Sequence, residues 1–399
     1  MRRVLSITTS LALILLLTYA VQQMAAMWSG AESVATRTTL AVGMVMMGAW
    51  LLGLLFEWIR VPCISGFLVF GICVGPYALG LISQDQVGEL EFLSQLAIAL
   101  IALTAGGEIH LKWLKTQWGT VTVLAAVVMV GVWVVVGLAA FGLMGLVPMI
   151  RDAPLLQRAV LAVLTGLVAA ANSPAVVIAM NAEYKAEGPL AQTTLAATVV
   201  KDMLMVVVFA TALAVSRGVL SPEQEISAGF LLAVSVQLVG SLGVGVIFGV
   251  VMAWYVHHVQ AHLMIMLIGA CMLFVLMGDQ TFYILDHPAH FEPLLMGLAA
   301  GMVVRNLWPK ESDWLFETIE QMSLPVYCLF FALAGAKLNL GVLNTWLAVG
   351  TVAMLFAARM AALWGSVTLA ARLVHYDPAS RRLLWMGFIP QAGIALALA

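Results

Sequence analysis

Lys201 and Asp202 stand side by side near the middle of an apolar stretch, 190–216, that is long enough to cross a bilayer. A charge at the bilayer centre costs at least ~3 kcal/mol on insertion scales, so its default meaning is functional. The preceding apolar stretch, 158–180, is broken at its middle by Asn172-Ser173-Pro174. Proline lacks an N–H and clashes with the preceding turn, so a helix unwinds there. Backbone groups freed in lipid are tolerated only where protein or a water-filled cavity meets them. A simple kink would be the plain explanation of Pro174, but a kink needs no flanking Asn and Ser. Asp202, Asn172, Ser173 and the freed carbonyls together make an oxygen-rich set, which suits a hard cation. Two interruptions at the same depth point to an ion site.

The elements that must position these residues follow from composition. The chain has 399 residues, 63% hydrophobic and 10% charged, with a mean hydropathy of +1.05. Soluble domains carry about 25% charged residues, so this is an integral membrane protein in contact with a lipid bilayer. There is no basic run or basic-aromatic surface for nucleic acid. Cys63, Cys73, Cys271 and Cys328 fall in or beside apolar segments without metal spacing and read as buried, unpaired thiols. His258 and His262 are four apart, but no acid shares their turn, so His257, His258 and His262 read as interfacial residues. No nucleophile–base set, metal motif or phosphate loop appears, so neither an enzyme nor a cofactor is expected.

Windows of about 20 apolar residues mark the spans. They fall near 4–27, 36–57, 62–83, 91–111, 119–147, 158–180, 190–216, 226–256, 262–285, 290–306, 321–341, 343–372 and 383–399. The first follows Met1-Arg2-Arg3 and is read as a retained helix rather than a cleaved signal peptide. The polar segment from Asn306 to Gln321 reads as a solvated connector. With the N-terminus cytoplasmic, Arg37, Arg151, Arg158, Arg217 and Lys337 fall outside, eleven Lys and Arg fall inside, and Lys201 and Arg359 lie within spans. The bias favours that orientation, in a cell membrane of the bacterial inner-membrane type.

An internal repeat is legible. ALTAGGEIHL from Ala102 matches FALAGAKLNL from Phe331 in pattern, Gly106 facing Gly335 and Glu108 facing Lys337. Upstream, Pro62, Gly66, Gly71 and Gly75 parallel Pro293, Gly297 and Gly301. Downstream, the break at Pro174 parallels Pro390-Gln391-Ala392-Gly393. The Pro62 and Pro293 spans run in opposite directions, so the halves are inverted copies. The expected fold is an all-α polytopic bundle of about thirteen transmembrane helices with two crossing broken helices. It divides into N-terminal spans (1–57), a first repeat (58–217, with core helices 91–111, 158–180 and 190–216), linking spans (218–285) and a second repeat (286–399). Inverted repeats with a broken helix in each half point to a secondary transporter with its site at the midplane. Asp202 lies 28 residues after Pro174, and the same interval after Pro390 passes Ala399. The mirror of the Asp202 helix is therefore missing, and a truncated chain is expected.

RVPCISGFLVFGICVGPYALGLI, LIALTAGGEIHLKWL and GFIPQAGIALALA together resemble the monovalent cation:proton antiporter superfamily, which includes bacterial sodium/proton exchangers and Kef-type potassium/proton antiporters. The resemblance runs from about Arg60 to Ala399. It implies that Asp202 binds cation and proton in alternation, and that Asn172, Ser173 and Pro174 are the unwound break. It implies that Arg359 stabilises the core near the site, and that the chain forms a homodimer with a scaffold and a mobile, elevator-like core. Lys201 departs from the pattern, which has Asp, Asn or Gln before the key Asp. Successive helix positions point about 100° apart, so Lys201 needs an acceptor other than Asp202, such as a carbonyl at the break or Glu108.

Coupling needs only one carboxylate that cannot hold a proton and a metal ion together: burial favours its neutral form, and an entering Na+ or K+ favours the ionised form. A single acid predicts one-for-one, electroneutral exchange. The alternatives are a channel-like or non-transporting regulatory membrane protein with Lys201 occupying the cation site, and a sodium-coupled organic-solute carrier on the same inverted plan. The second would need a larger polar cavity with paired Asn, Gln or Glu side chains, which the sequence does not show.

Overall fold

The computed structural model describes residues 34–391 apart from 108, 146–147, 173, 187, 221–227 and 286, together with residues 9 and 12. Most of the expected span at 4–27 lies outside the described residues, as do Glu108, Ser173, Ala392 and Gly393. The chain is a multi-pass, almost entirely helical membrane protein. Five helices among the described residues are each long and apolar enough to cross a bilayer.

The helices sort into two bundles by what they pack against. The first holds α1 (Val34–Trp58), α2 (Cys63–Val74), α3 (Glu91–Gly107), α8 (Ala228–His258), α9 (Leu263–Gly278), α10 (Pro293–Leu307) and α11 (Pro309–Ala336). The second holds α4 (Leu111–Leu143), α5 (Leu155–Ala170), α7 (Pro189–Leu220), α12 (Trp346–Leu373) and α13 (Pro378–Leu384), the last followed by a 3₁₀ turn at Trp385–Phe388, while α6 (Pro174–Tyr184) lies between the two, packed on α7 and on α2 and α3 of the first. Apolar side chains left outward, among them Val130, Val134 and Leu138 on α4 and Val246, Ile247 and Val250 on α8, form the lipid-facing surface expected of a chain whose solvent is hydrocarbon.

Small residues let the first bundle close. A Cβ on Gly106 of α3 would lie 2.0 Å from the Leu298 carbonyl oxygen of α10, and one on Gly301 of α10 would lie 2.0 Å from that of Leu103. Likewise Gly71 of α2 abuts Ala332 of α11, and Gly335 abuts Leu68. Each seam joins one helix from each of the two matched stretches. Close backbone approach through small residues is the usual basis of helix association in lipid.

Three expectations change. The span at 262–285 stops at Gly278, and the chain turns into an antiparallel hairpin, β1 (Thr281–Ile284) and β2 (His287–His290), which packs on α8. The β-branched and aromatic run Thr281-Phe282-Tyr283-Ile284 suits a strand; counting it as apolar span length concealed this. The expected spans at 62–83 and 290–306 form helices of only 12 and 15 residues. The segment 306–321 is largely helix, not a connector: Pro309 sits at the start of α11, where proline is favoured, and Leu315 and Ile319 bury one face while the acids take the other.

Candidate functional site

The site is assembled where two helix breaks meet. Helix α5 ends at Ala170 and α6 begins at Pro174; between them Ala171 is extended, with ψ of 138°. The second break follows the 3₁₀ turn and runs through Ile389, Pro390 and Gln391. Each break donates an amide to the other: Asn172 Nδ2 to the Phe388 carbonyl at 2.6 Å, and Gln391 Nε2 to the Val168 carbonyl at 3.1 Å. Carbonyls freed by the unwinding are thereby met from across the crossing.

Arg359, buried on α12, ties the two strands together. Its Nε donates to the Ala169 carbonyl at 2.9 Å and its Nη1 to that of Ile389 at 3.0 Å. A guanidinium suits the task because its fork of fixed donors can serve two acceptors at once. Its Nη2 is buried without a hydrogen-bond partner.

Lys201 is fully buried and donates from Nζ to Asn172 Oδ1. Its ammonium also lies 5.9 Å from the centroid of the Phe388 ring, within the reach of a cation–π contact. Among the described residues, the acceptor that Lys201 requires is thus the break's own amide side chain; Glu108 lies outside them. Both ends of the Asn172 amide are engaged, one by a cation, so a metal ion approaching Oδ1 meets the lysine first.

Asp202, the next residue on α7, is buried to 4% relative exposure. Its Oδ1 has no hydrogen-bond partner. A buried acid with an open oxygen is poised for a proton or a metal ion, since either supplies what the protein does not.

The structure therefore brings Asn172, Lys201, Arg359 and Gln391 into one bonded network spanning the Pro174 and Pro390 breaks. It buries Asp202 beside that network. Phe388, whose carbonyl and ring both serve the network, escapes a reading that looks for polar side chains, although it stands two residues before Pro390.

His257, read as interfacial, stacks on Trp308 with 5.0 Å between centroids and meets Glu311 of α11 at 3.1 Å. Among the described residues no group of three or more His, Cys, Asp and Glu could hold a metal ion; Cys63, Cys73, Cys271 and Cys328 are unpaired, but only Cys271 and Cys328 are buried, Cys63 being half-buried and Cys73 exposed.

Residues 42–399 match the family described as sodium/hydrogen exchanger, transmembrane. The chain belongs to this family. Among solved structures, the sodium proton antiporter MjNhaP1 from Methanocaldococcus jannaschii, at pH 8, shares 18% identity over 91% of this chain and 85% of its own, with a TM-score of 0.66. An electron-microscopy map of the same antiporter gives 17% identity over 88% and 81%, with a TM-score of 0.67. At these identities the likeness speaks for the exchanger fold. No curated protein matches the chain.

Proposed function

We propose that this chain exchanges a monovalent cation, Na+ or K+, for H+ by alternating access, with Asp202 binding the two in turn. The observation that carries this reading is a single acid, buried to 4%, whose Oδ1 has no partner, on the helix that is bonded through Lys201 to two crossed and unwound segments. The exchanger family and the fold shared with a sodium proton antiporter support it. Neutral Asp202 would be tolerated in its dry setting. A cation arriving at Oδ1 would favour the ionised form and expel the proton, so the two are exchanged one for one. Arg359, Gln391 and Asn172 keep the two breaks in register. The matched stretches form two inverted repeats, with the break-bearing bundle as moving core, the glycine-seamed bundle as scaffold, a homodimer as the working unit, and the N-terminus on the cytoplasmic side of an inner membrane.

The test is cation-induced proton movement in proteoliposomes and everted vesicles, with Na+, K+ and Li+ in turn. Asp202→Asn is expected to show none; wild-type exchange by that variant would refute the assignment.

A second reading is favoured by one observation, the Lys201 ammonium on Asn172 Oδ1. If that tethered cation permanently fills the site, the protein is a non-transporting or channel-like regulator. Wild type would then be silent in the same assay, and Lys201→Asn would switch exchange on.

A further inference from the structure

Helix α6 is a short strut whose two ends are tied to different parts of the molecule. Its 11 residues span roughly 16 Å at 1.5 Å per residue. At the N-terminal end the break carries Asn172, bonded to Lys201 of α7 and to the Phe388 carbonyl. Near the C-terminal end Glu183 reaches across to the first bundle, where its Oε1 accepts from the Cys63 N–H at 2.7 Å. Cys63 opens α2, and Pro62 before it gives no side-chain cap. An acid from another helix supplies that cap, and its charge suits the positive end of α2.

The same end of α6 shapes a cavity. Lys185, with φ of 48°, turns the chain out of the helix, and the Ala186 N–H closes on the Asn181 carbonyl at 2.8 Å. Asn181 and Lys185 line a cavity of about 750 Å³, which Gln192 of α7, Thr104 of α3 and Glu317 of α11 also line. Movement of this end relative to α2 therefore reshapes the opening.

The bond is also one that can part. Glu183 Oε2 is buried without a hydrogen-bond partner, so docking satisfies one oxygen while it dehydrates the other. The gain from a charged hydrogen bond and the loss from an unpaired buried oxygen are of similar size. Docked and released forms are therefore close in energy. Asn306, by contrast, grips the passage from α3 to α4, where the bundles are joined covalently. Glu183 bridges residues 120 apart in the chain and is under no such constraint.

We propose that Glu183 is a latch between the bundles: it pins the end of α6 to the start of α2 while the cavity is open, and this bond parts when the site turns to the other face. This rests on the alternating-access reading above.

The experiment measures cation-induced proton movement in right-side-out and everted vesicles, so that Na+ or K+ meets one face at a time. Glu183→Leu removes the acceptor and lowers the cavity-open population. The ratio of apparent KM at the cavity face to that at the opposite face should rise about fivefold, the worth of one hydrogen bond. Glu183→Gln keeps an acceptor for the Cys63 N–H and should lie near wild type. An unchanged ratio in Glu183→Leu, with or without a loss of rate, overturns the proposal. A second arm uses Cys63 itself. In a Cys73→Ser background, with Cys271 and Cys328 buried, Glu183→Cys is joined to Cys63 by a short bis-methanethiosulfonate. The stapled protein should lose exchange by at least about tenfold, since the cycle is held at one state, and dithiothreitol should restore it. Full exchange by the stapled protein overturns the proposal, and this arm decides the matter if Glu183→Leu does not fold. If wild type exchanges and the staple leaves it running, the latch alone fails. If wild type moves no protons with any cation, the reading beneath it fails.

Discussion

Removing the Asn172 side chain should cost far more when Lys201 is present than when it is absent. In Asn172→Ala, the Phe388 carbonyl loses a neutral donor, worth about 1 kcal/mol. Lys201 Nζ, fully buried, loses its side-chain acceptor, and stranding a charged donor costs about 3 kcal/mol. The single variant should therefore lose about 4 kcal/mol. In a Lys201→Met background no ammonium remains to be stranded, and the same truncation should cost only about 1 kcal/mol. The coupling between the two positions is then about 3 kcal/mol, at the upper end for residues in one network. Denaturant unfolding of the purified protein in mixed micelles, for wild type, both singles and the double, completes the cycle. Additive losses, with a coupling below about 0.5 kcal/mol, would show that Lys201 does not rest on Asn172 and would sink the account of how the crossing is held.

Two further outcomes follow from other parts of the fold. Gly106→Ala and Gly301→Ala each place a methyl group 2.0 Å from a backbone carbonyl oxygen, so α3 and α10 must part; each should lose at least about 1–3 kcal/mol, read as a lower unfolding midpoint, whereas Gly43→Ala, with open space at its Cβ, should be neutral. Asp377 caps α13, its Oδ2 accepting from the Ser380 N–H at 2.9 Å, and that bond holds its carboxyl below the usual carboxylate range. A depressed folded pKa contributes stability above the unfolded pKa that is lost as pH falls through the folded one; amide exchange at Ser380 should therefore quicken in acid, and Asp377→Asn, which cannot titrate, should abolish that dependence.

Much of the site is legible in the sequence because membrane chemistry makes exceptions conspicuous. Lys201, Asp202, Asn172 and Pro174 stand out in an apolar background, and all fall in or beside one buried network. Arg359 and Gln391 gain meaning through the likeness of the two halves and through family resemblance, and they bond across the breaks. What stays hidden depends on partners remote in sequence. The acceptor for Lys201 is 29 residues away, on a side chain that by itself looks like a metal ligand. The Phe388 carbonyl is backbone and leaves no mark in residue type. The hairpin at 281–290 is missed because hydropathy counts apolar residues without regard to their period, and the helical part of 306–321 because polarity on one face masked Leu315 and Ile319 on the other.

The glycine seams lie inside each bundle. Gly106, Gly301, Gly71 and Gly335 interlock backbones within the first, and Gly166 meets the Trp133 carbonyl within the second. Across the boundary the contacts differ in kind: Ile178, Leu195 and Val199 join the apolar cluster of the first bundle through side chains. The polar ties there are peripheral, Glu183 accepting from the Cys63 N–H at 2.7 Å and Asn306 gripping Ile109 and Leu111 where α3 passes into α4. Meshed main chains resist shear, while a greased face of branched side chains lets one block slip past another without either losing shape. Under the proposed alternating access, each bundle would keep its shape through its glycine seams while the side-chain face between them gives, with Asn306 fastened at the joint.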